Sequence, residues 1–319
     1  MAKPTFVPAQ PGDDGVFHEG ELRVQEATGQ RPVAERHARL VCGAVPPAPA
    51  AFLAQQRMLV LATVDEAGSP WASLVFGAKG FARTSGGVVT IDRSRACVSP
   101  GDALLENLGA GGMLGILAID LGSRWRYRIN GFVSSATEER VELGVREAYV
   151  NCPKYIQRRV LCDTDGAPRA SAASARGDSL DPERQALVRR ADTMFVASCH
   201  PTRGADASHR GGEPGFLEIR DERTIRVPEY AGNGLYNTLG NLVVSNRAGL
   251  AVVDFDGGCV LQLSGSVTVA LDPAPAPGAG AATGRYWDFM VSRWIQLPLP
   301  QSIRWELVER SPFNPPLQT

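Results

Sequence analysis

An internal repeat constrains the fold of this chain more than any other feature of its sequence. Six positions of the first half recur 135 residues later, and six more recur 134 residues later in the same order. The one-residue change of offset falls in a loop, where a length change costs little. Ordered matches of this kind predict an internal duplication. The matching pairs are Ala62/Ala197, Ala72/Ala207, Ser73/Ser208, Gly77/Gly212, Gly80/Gly215 and Phe81/Phe216, then Asn107/Asn241, Leu108/Leu242, Gly115/Gly249, Asp120/Asp254, Gly131/Gly265 and Val133/Val267.

Each copy has the same predicted succession of elements. A β-branched run (MLVLATV or TMFVAS) is followed by two more strands, a short helix (101–112 or 233–245), a strongly apolar fourth strand and a fifth strand. Short strands with turn signals between them favour antiparallel barrels. We therefore expect a mainly β protein with short helices, of the α+β class, in which two tandem antiparallel barrels form a pseudo-dimer within one chain.

The remaining segments define the expected domain boundaries. Residues 1–50 are an N-terminal helical arm that ends in an extended Pro/Ala linker at 43–51, and 51–162 are the first barrel with a helical extension over 142–160. Residues 163–188 are a mobile linker. Residues 189–319 are the second barrel, which includes a low-complexity loop at 272–284 and a last strand at 286–297.

Composition excludes several classes of protein. The 319 residues are 44% hydrophobic and 21% charged, and the net charge of −1 argues against general nucleic-acid binding. No apolar run is long enough to span a bilayer, and the N-terminus lacks the apolar core of a signal peptide. The six cysteines and four histidines show no metal-ligand spacing. We expect a cytoplasmic, metal-free protein with a small-molecule substrate, no nucleic-acid or membrane partner, and either a pseudo-symmetric monomer or a homodimer as its assembly.

The second strand differs in character between the two copies. The first copy reads ASLVFG at 72–77, whereas the second reads ASHRGG at 207–212 and replaces Leu74 and Val75 by His209 and Arg210. Strand alternation places Ser208, Arg210 and Gly212 on one face and His209 on the other. Glycines in a strand mark close approach of a ligand or another chain. A solvent-facing edge strand with a glycine bulge is the alternative interpretation.

The fifth strand shows the opposite asymmetry. In SRWRYRING of the first copy, Arg124, Arg126, Arg128 and Asn130 fall on one face, where the second copy has Gly258, Val260, Gln262 and Ser264. Guanidinium groups in line repel one another unless anions lie between them. The face either meets an anionic ligand or is solvated and paired with acidic residues.

The two asymmetries are complementary. If the copies pack as a pseudo-dimer, strand two and the helix of the second copy meet strand five of the first. One cleft then retains a ligand, while the other is filled as core. The start of the second-copy helix, AGNGLYNTLGN, is rich in Gly and Asn and suits a phosphate, although such residues are also ordinary caps. The matching first-copy stretch carries Asp102 and Glu106, which would repel one.

These residues resemble a known group, the pyridoxamine 5′-phosphate oxidase-like flavin-binding split-barrel proteins. The similarity includes the single helix before strand four. It also includes the sequence NLVVSNRAGLAVVDF, which runs from the end of that helix into strand four. The long, duplicated members of the group are most similar. The resemblance extends over nearly the whole chain and is carried by FHEGE (17–21), NCPKYIQRR (151–159), ADASHRGGEPGF (205–216), GNGLYNTLGNL (232–242) and SPFNPP (311–316).

The resemblance implies two split barrels with a flavin at their interface, usually FMN, with FAD as the alternative and haem or a deazaflavin as less typical cofactors of the superfamily. Asn237 and Thr238 stand where charged residues are common in the group. The expected cofactor-binding residues are Ser208, His209, Arg210, Gly211, Gly212, Asn233, Tyr236, Asn237, Thr238, Gly240, Asn241, Arg126, Arg128 and Asn130. The expected contacts to an anionic substrate or a phosphate are Lys154, Tyr155, Arg158 and Arg159. The alternative is that these residues form a solvated helix face.

Two functions follow from the resemblance and the candidate residues. The first is a flavin-dependent oxidoreductase acting on a small organic substrate, which can be anionic, with His209 and Arg210 as candidate catalytic residues. The second is a flavin- or haem-binding protein with little turnover. A flavin carries the redox chemistry itself, so no nucleophile–base pair is required.

Overall fold

The computed structural model describes residues 15–109, 111–163, 174–272, 282–300 and 302–316. The helices among these residues are α1 (Glu19–Ala27), α2 (Arg31–Ala38), α3 (Pro47–Gln55), α4 (Leu104–Asn107), α5 (Pro182–Arg190) and α6 (Asn237–Ser245), with a 3₁₀ turn at Arg93–Arg95. None of the helices in these ranges is long and apolar enough to cross a membrane.

The strands fall into two groups along the chain. The first group is β1 (Met58–Val64), β2 (Pro70–Gly77), β3 (Ala82–Ser85), β4 (Val88–Asp92), β5 (Ala96–Cys97), β6 (Met113–Asp120), β7 (Trp125–Ala136), β8 (Arg140–Val150) and β9 (Arg158–Asp163). The second group is β10 (Ala175–Gly177), β11 (Thr193–His200), β12 (Gly204–Gly211), β13 (Glu218–Ile219), β14 (Thr224–Tyr230), β15 (Arg247–Asp254), β16 (Cys259–Ala270), β17 (Ala282–Pro298) and β18 (Ile303–Glu309).

The two large sheets have the same topology. The first sheet runs β3-β4-β8-β7-β6-β1-β2-β5, and the second, read in the same direction, runs β13-β14-β17-β16-β15-β11-β12. All neighbouring strands pair antiparallel, and β9 and β18 form a separate ribbon. The chain therefore folds into two tandem antiparallel split barrels that form an intrachain pseudo-dimer, as the sequence predicted.

Repeated glycines lie where backbones approach closely. A Cβ atom at Gly115 on β6 would overlap the main chain at Ala205–Asp206 on β12, and one at the matching Gly249 on β15 would overlap the main chain at Pro70–Trp71 on β2. Each barrel's apolar strand thus packs directly on the second strand of the other barrel. These two matched contacts are related by the pseudo-twofold relation between the copies.

Apolar side chains form three buried clusters. One fills the first barrel and includes Leu61 and Ile116, and a second fills the other barrel around Trp287. The third lies between the barrels and includes Leu117 and Phe195. The middle strands β6 and β15 are apolar on both faces because one face lines a barrel and the other lines the interface.

Three predicted elements are wrong in type or length. The extension over 142–160 is not a helix, because β8 pairs with β4 and β7 and is followed by a loop and β9. The Pro/Ala linker is helical from Pro47, since proline is tolerated in the first turn of a helix. The predicted helix at 101–112 is reduced to the four residues of α4.

The other predicted segments have mixed outcomes. The last strand is present as part of the long β17. The linker at 163–188 contains β10 and the start of α5, and its residues 164–173 lie outside the described residues, as does most of the predicted loop at 272–284.

Candidate functional site

A pocket lies between the two barrels, where β7 of the first barrel meets β12 and the β14–α6 segment of the second. Its empty volume is about 840 Å³, including the open mouth. The lining residues are Arg126, Arg128, Asn151, Cys152, Lys154, Tyr155, Ser208, His209, Arg210, Gly211, Phe216, Pro228, Glu229, Tyr230, Gly232, Asn233, Gly234, Leu235, Tyr236, Asn237 and Thr238.

Arg128 is buried, and its charge is compensated by the protein. Its Nε atom lies 2.9 Å from Oδ1 of the buried Asp206. Its other nitrogens donate to Oγ of Ser208 at 2.5 Å and to Oδ1 of Asn237 at 2.8 Å. Ser208 in turn lies 2.6 Å from Oγ1 of Thr238. Arg128 therefore fixes side chains from β12 and from the start of α6 rather than offering a free charge.

Arg126 has no compensating carboxylate among the described residues. Its Nε donates to the carbonyl oxygen of Cys152 at 2.7 Å, and Nη1 lies 3.3 Å from the carbonyl oxygen of His209. In the described part of the chain none of its hydrogen bonds goes to a carboxylate. Burial and the nearby Arg128 lower the pKa of Arg126 to about 9. A bound anion would relieve both effects.

Two further cations border the same space. Arg210 donates to Oε2 of the buried Glu229 at 2.7 Å, so its charge is compensated. Lys154 lies over the ring of Phe313, with its Nζ atom 5.5 Å from the ring centroid, and forms no ion pair within the described ranges. Arg126 and Lys154 thus give the pocket an excess of positive charge.

His209 is buried and neutral. Burial and the neighbouring Arg126 and Arg210 lower its pKa well below the ordinary value. Its Nδ1 lies 3.2 Å from Nη1 of Arg126, which can only donate, so Nδ1 accepts and Nε2 carries the hydrogen. That Nε2 is buried and has no hydrogen-bond partner among the described residues. His209 can therefore donate a hydrogen bond, but at neutral pH it does not supply a proton from an imidazolium.

The segment before α6 has an unusual backbone. Gly234 and Tyr236 are left-handed, with φ of 75° and 58°, and Tyr155 across the pocket has φ of 66°. The start of α6 has no side-chain cap, and its first residues, Asn237 and Thr238, line the pocket. Free N–H groups at a helix start and the helix dipole favour an anion. Strained non-glycine residues cluster at functional sites.

Four predicted cofactor-binding residues lie outside this pocket. Gly212 packs against Phe216, and Gly240 packs against Glu21 of α1. Asn130 donates to Oε1 of Glu147 at 2.8 Å, and Asn241 donates to Oγ of Ser198 at 3.0 Å. Asn130 and Asn241 instead line a separate small cavity with His18, Glu21, Glu147 and Asp206.

Three other arginines that the sequence singled out do not line the pocket: Arg124, Arg158 and Arg159. Arg124 is left-handed at φ 56°, precedes β7 and pairs with Glu309 at 3.0 Å, so it leaves the arginine face. Arg158 donates to the carbonyl oxygen of Gly122. Arg159 is buried and pairs with Asp192 at 2.6 Å. Arg158 and Arg159 diverge from Lys154 and Tyr155 because residues 158–163 form a strand.

Several pocket residues were missed at the level of sequence. Asn151, Cys152, Glu229, Tyr230 and Leu235 line the pocket. Glu229 and Tyr230 lie directly before the Gly- and Asn-rich stretch that was singled out. The partner of Arg128, Asp206, shares a strand face with Ser208 and Arg210 and could have been found by alternation.

The matching cleft of the other copy is closed by a buried hydrogen-bond network. Gln262 stands where the first copy has Arg128, and Ser73 where the second has Ser208. Oγ of Ser73 donates to Oδ1 of Asp102 at 2.5 Å, and Nε2 of Gln262 donates to Oδ2 of Asp102 at 3.0 Å. Val260 and Leu74, which match Arg126 and His209, are buried in the apolar cluster between the barrels.

A second polar cluster joins His18, Glu19 and His200, whose ligand atoms lie within 4.8 Å of one another. Nδ1 of His18 accepts from the N–H of Gly20 at 3.1 Å, and Nδ1 of His200 accepts from the N–H of Thr202 at 3.2 Å. Each Nε2 therefore carries a hydrogen. Nε2 of His200 lies 3.0 Å from Oε1 of Glu19. This arrangement favours hydrogen bonding over metal coordination.

Comparison with known proteins gives only remote similarity. No protein-family model matches the sequence, and no curated protein matches it. HupZ from Group A Streptococcus is similar in structure with a TM-score of 0.29 and 13% identity, over 41% of this chain and 98% of HupZ. A Clostridium acetobutylicum protein related to general stress protein 26, described as of the pyridoxinephosphate oxidase family, has a TM-score of 0.28 and 14% identity, over 40% of this chain and 92% of its own.

Proposed function

We propose that this protein is a flavin-dependent oxidoreductase acting on a small organic substrate, with one flavin bound in the pocket between the barrels. The observation that carries the proposal is Arg126, whose guanidinium lines the pocket without a carboxylate partner in the described residues. The resemblance of the sequence to the pyridoxamine 5′-phosphate oxidase-like group supplies the kind of ligand. We propose that the first barrel domain comprises residues 51–162 and the second residues 189–319.

The residues of the pocket fit an anionic cofactor of this class. A phosphate monoester carries a charge of about −1.5 to −2 at neutral pH. Arg126 and Lys154 supply the uncompensated positive charge, and the uncapped start of α6 supplies N–H groups at Asn237 and Thr238. Tyr155, Tyr230 and Tyr236 add aromatic surface around the same space. We assign FMN as the cofactor, with FAD as the alternative.

A bound flavin supplies hydride transfer and reaction with oxygen. The chain's own contribution is charge and orientation. Arg126 would hold positive charge where negative charge accumulates in the pocket. Arg128 would keep Ser208 and Asn237 in place. His209 would offer the N–H of Nε2 as a hydrogen-bond donor, and Arg210, held by Glu229, would line the pocket.

The test is the optical spectrum of the purified protein and of the protein loaded with FMN or FAD. We expect a flavin band that bleaches on reduction and recovers in air, together with oxidation of an added reduced nicotinamide or organic donor. A stable flavin band with no turnover of any donor would favour the binding-protein alternative. A Soret band, or the absence of a flavin band after loading with both nucleotides, would overturn the proposal.

A further inference from the structure

The first two helices, α1 and α2, which we call the N-terminal arm, pack on the outside of the candidate site. A Cβ atom at Gly20 on α1 would overlap the carbonyl oxygen of Gly240 on α6, so the two helices are in direct backbone contact. Val33 on α2 lies against Gly234. The arm therefore covers the outer surface of residues 232–237, which we call the pocket wall.

Three side chains of the arm contact alternate residues of the pocket wall. Nδ1 of His37 lies 2.6 Å from the carbonyl oxygen of Asn233 and must donate, because a carbonyl oxygen only accepts. Nε2 of the fully buried Gln25 donates to the carbonyl oxygen of Leu235 at 3.1 Å. Oε1 of Glu21 accepts from Nδ2 of Asn237 at 2.7 Å.

The pocket wall needs such contacts. It belongs to neither β14 nor α6 until Asn237, and it contains the left-handed Gly234 and Tyr236. A left-handed non-glycine residue persists only where its surroundings hold it. The contact also continues inward, since Asn237, held by Glu21 from outside, accepts from Arg128 inside the site.

Among the described residues, the arm has no counterpart in the other copy. Helices α3 and α5 each precede the first strand of a barrel and so correspond to each other. Across the described residues of the second copy no helix corresponds to α1 or α2. The addition therefore lies at the one cleft that keeps Arg126 and His209, and not at the cleft closed by Asp102 and Gln262.

We infer that the N-terminal arm is the positioning element of the candidate site, with Glu21, Gln25 and His37 as positioning residues that set the conformation of the pocket wall for an anionic ligand. As a statement about flavin affinity the inference rests on the proposed function. As a statement about the conformation of the wall it stands independently.

The test uses Gln25→Leu, His37→Phe and the double variant in the full-length protein. Each single change removes one hydrogen bond to the wall, and we expect FMN affinity to fall roughly fivefold for each and about 25-fold for both. Hydrogen exchange of residues 232–237 should accelerate in the same variants. Gln56→Leu is the matched control, because buried Gln56 donates to the carbonyl oxygen of Phe52 at 2.8 Å on a helix outside the site. It should lower the melting temperature without changing FMN affinity or exchange of the wall.

The two readouts separate this inference from the proposed function. If the wild-type protein binds FMN, affinity decides: equal affinity in the wild type and the double variant, or an equal loss in Gln56→Leu, overturns the inference. If the wild-type protein binds no FMN, the proposed function fails and exchange decides. Unchanged exchange of residues 232–237 in the double variant then overturns the inference, and faster exchange confined to that segment upholds it.

Discussion

At the scale of single residues, two arginines on one strand have different roles. Arg126 and Arg128 share a face of β7, yet Arg128 is neutralised by Asp206, whereas the hydrogen bonds of Arg126 within the described residues go to carbonyl oxygens and the ring of His209. Strand alternation predicts the shared face. It does not predict the partners, because Asp206 and His209 come from the other barrel, and it does not predict that Arg124 leaves the face at a left-handed residue.

Replacing Arg126 tests the uncompensated cation. Arg126→Ala should weaken FMN binding about ten- to hundredfold, since a hydrogen bond to a charged group contributes roughly 1.5–3 kcal/mol. The melting temperature should fall little, because no carboxylate loses its partner. The measurement is flavin titration beside thermal melting. The control is Val260→Ala at the matching position of the other copy, which should lower stability through a lost core side chain and leave affinity nearly unchanged.

Normal FMN affinity in Arg126→Ala would show that the guanidinium belongs to the structure and not to the site. An equal loss of affinity in Val260→Ala would show that the effect is one of general stability.

Replacing Arg128 should act on stability instead. Arg128→Ala leaves the carboxylate of Asp206 buried without its partner, and breaking a buried ion pair costs about 3–5 kcal/mol. The free energy of unfolding, measured with urea, should fall by that order. Asp206→Asn in the Arg128→Ala background should recover part of the loss, because the orphaned charge is removed. A stability within about 1 kcal/mol of wild type in Arg128→Ala would contradict the structural role.

At the scale of elements, the sequence predicts strands well where the repeat marks them twice. The segment over 142–160 lacks such support, and Glu142 and Arg146, four residues apart, suit a helix locally. Pairing with β4 and β7 overrides that preference, since strand propensity depends on tertiary neighbours. Residues 17–21 are part of the sequence resemblance, but their packing on α6 could not be predicted, because it depends on a contact between segments 220 residues apart in the sequence.

The arm makes stability dependent on pH. Burial and the nearby Glu147 raise the pKa of Glu21 from 4.5 to about 8, so the folded state holds a proton that the unfolded state releases above pH 4.5. Stability from this group is full below that value and is lost as pH rises towards 8, at up to about 1.4 kcal/mol per pH unit. Burial lowers the pKa of His18 to about 4, and that group acts in the opposite sense between pH 6.5 and 4.

The window from pH 6.5 to 8 lies above the range in which His18 acts and within the range in which Glu21 acts. Unfolding by urea should show decreasing stability across it, and Glu21→Gln should flatten the slope. Burial also raises the pKa of Glu147, which acts on the slope in the same direction as Glu21. An unchanged slope in Glu21→Gln would mean that Glu21 is ionised in the folded protein throughout this range.

At the scale of the whole molecule, the duplication allows the two clefts to diverge. In a symmetric dimer of single barrels both subunits contribute the same surface patch to the interface, so the dimer has two equivalent sites. Here the matching positions differ in kind: Arg126 against Val260, His209 against Leu74, and Arg128 against Gln262. The repeat therefore predicts both the fold and its asymmetry. What it could not predict is how the second cleft is closed, because Asp102 was expected to repel a phosphate and instead forms the centre of a buried hydrogen-bond network.

One flavin per chain is the consequence that distinguishes this molecule from a symmetric dimer. The pocket at β7, β12 and α6 has uncompensated positive charge, whereas in its counterpart the buried Ser73, Asp102 and Gln262 form a hydrogen-bond network. Released flavin, measured by absorbance against protein concentration, should approach one equivalent after loading. In Arg126→Ala, loaded at a flavin concentration that only just saturates the wild type, the number of flavin equivalents per chain should fall towards zero and not towards half of the wild-type value. Two equivalents in the wild type, or one remaining from two in the variant, would mean that both clefts bind and that Gln262 and Asp102 do not close the second one.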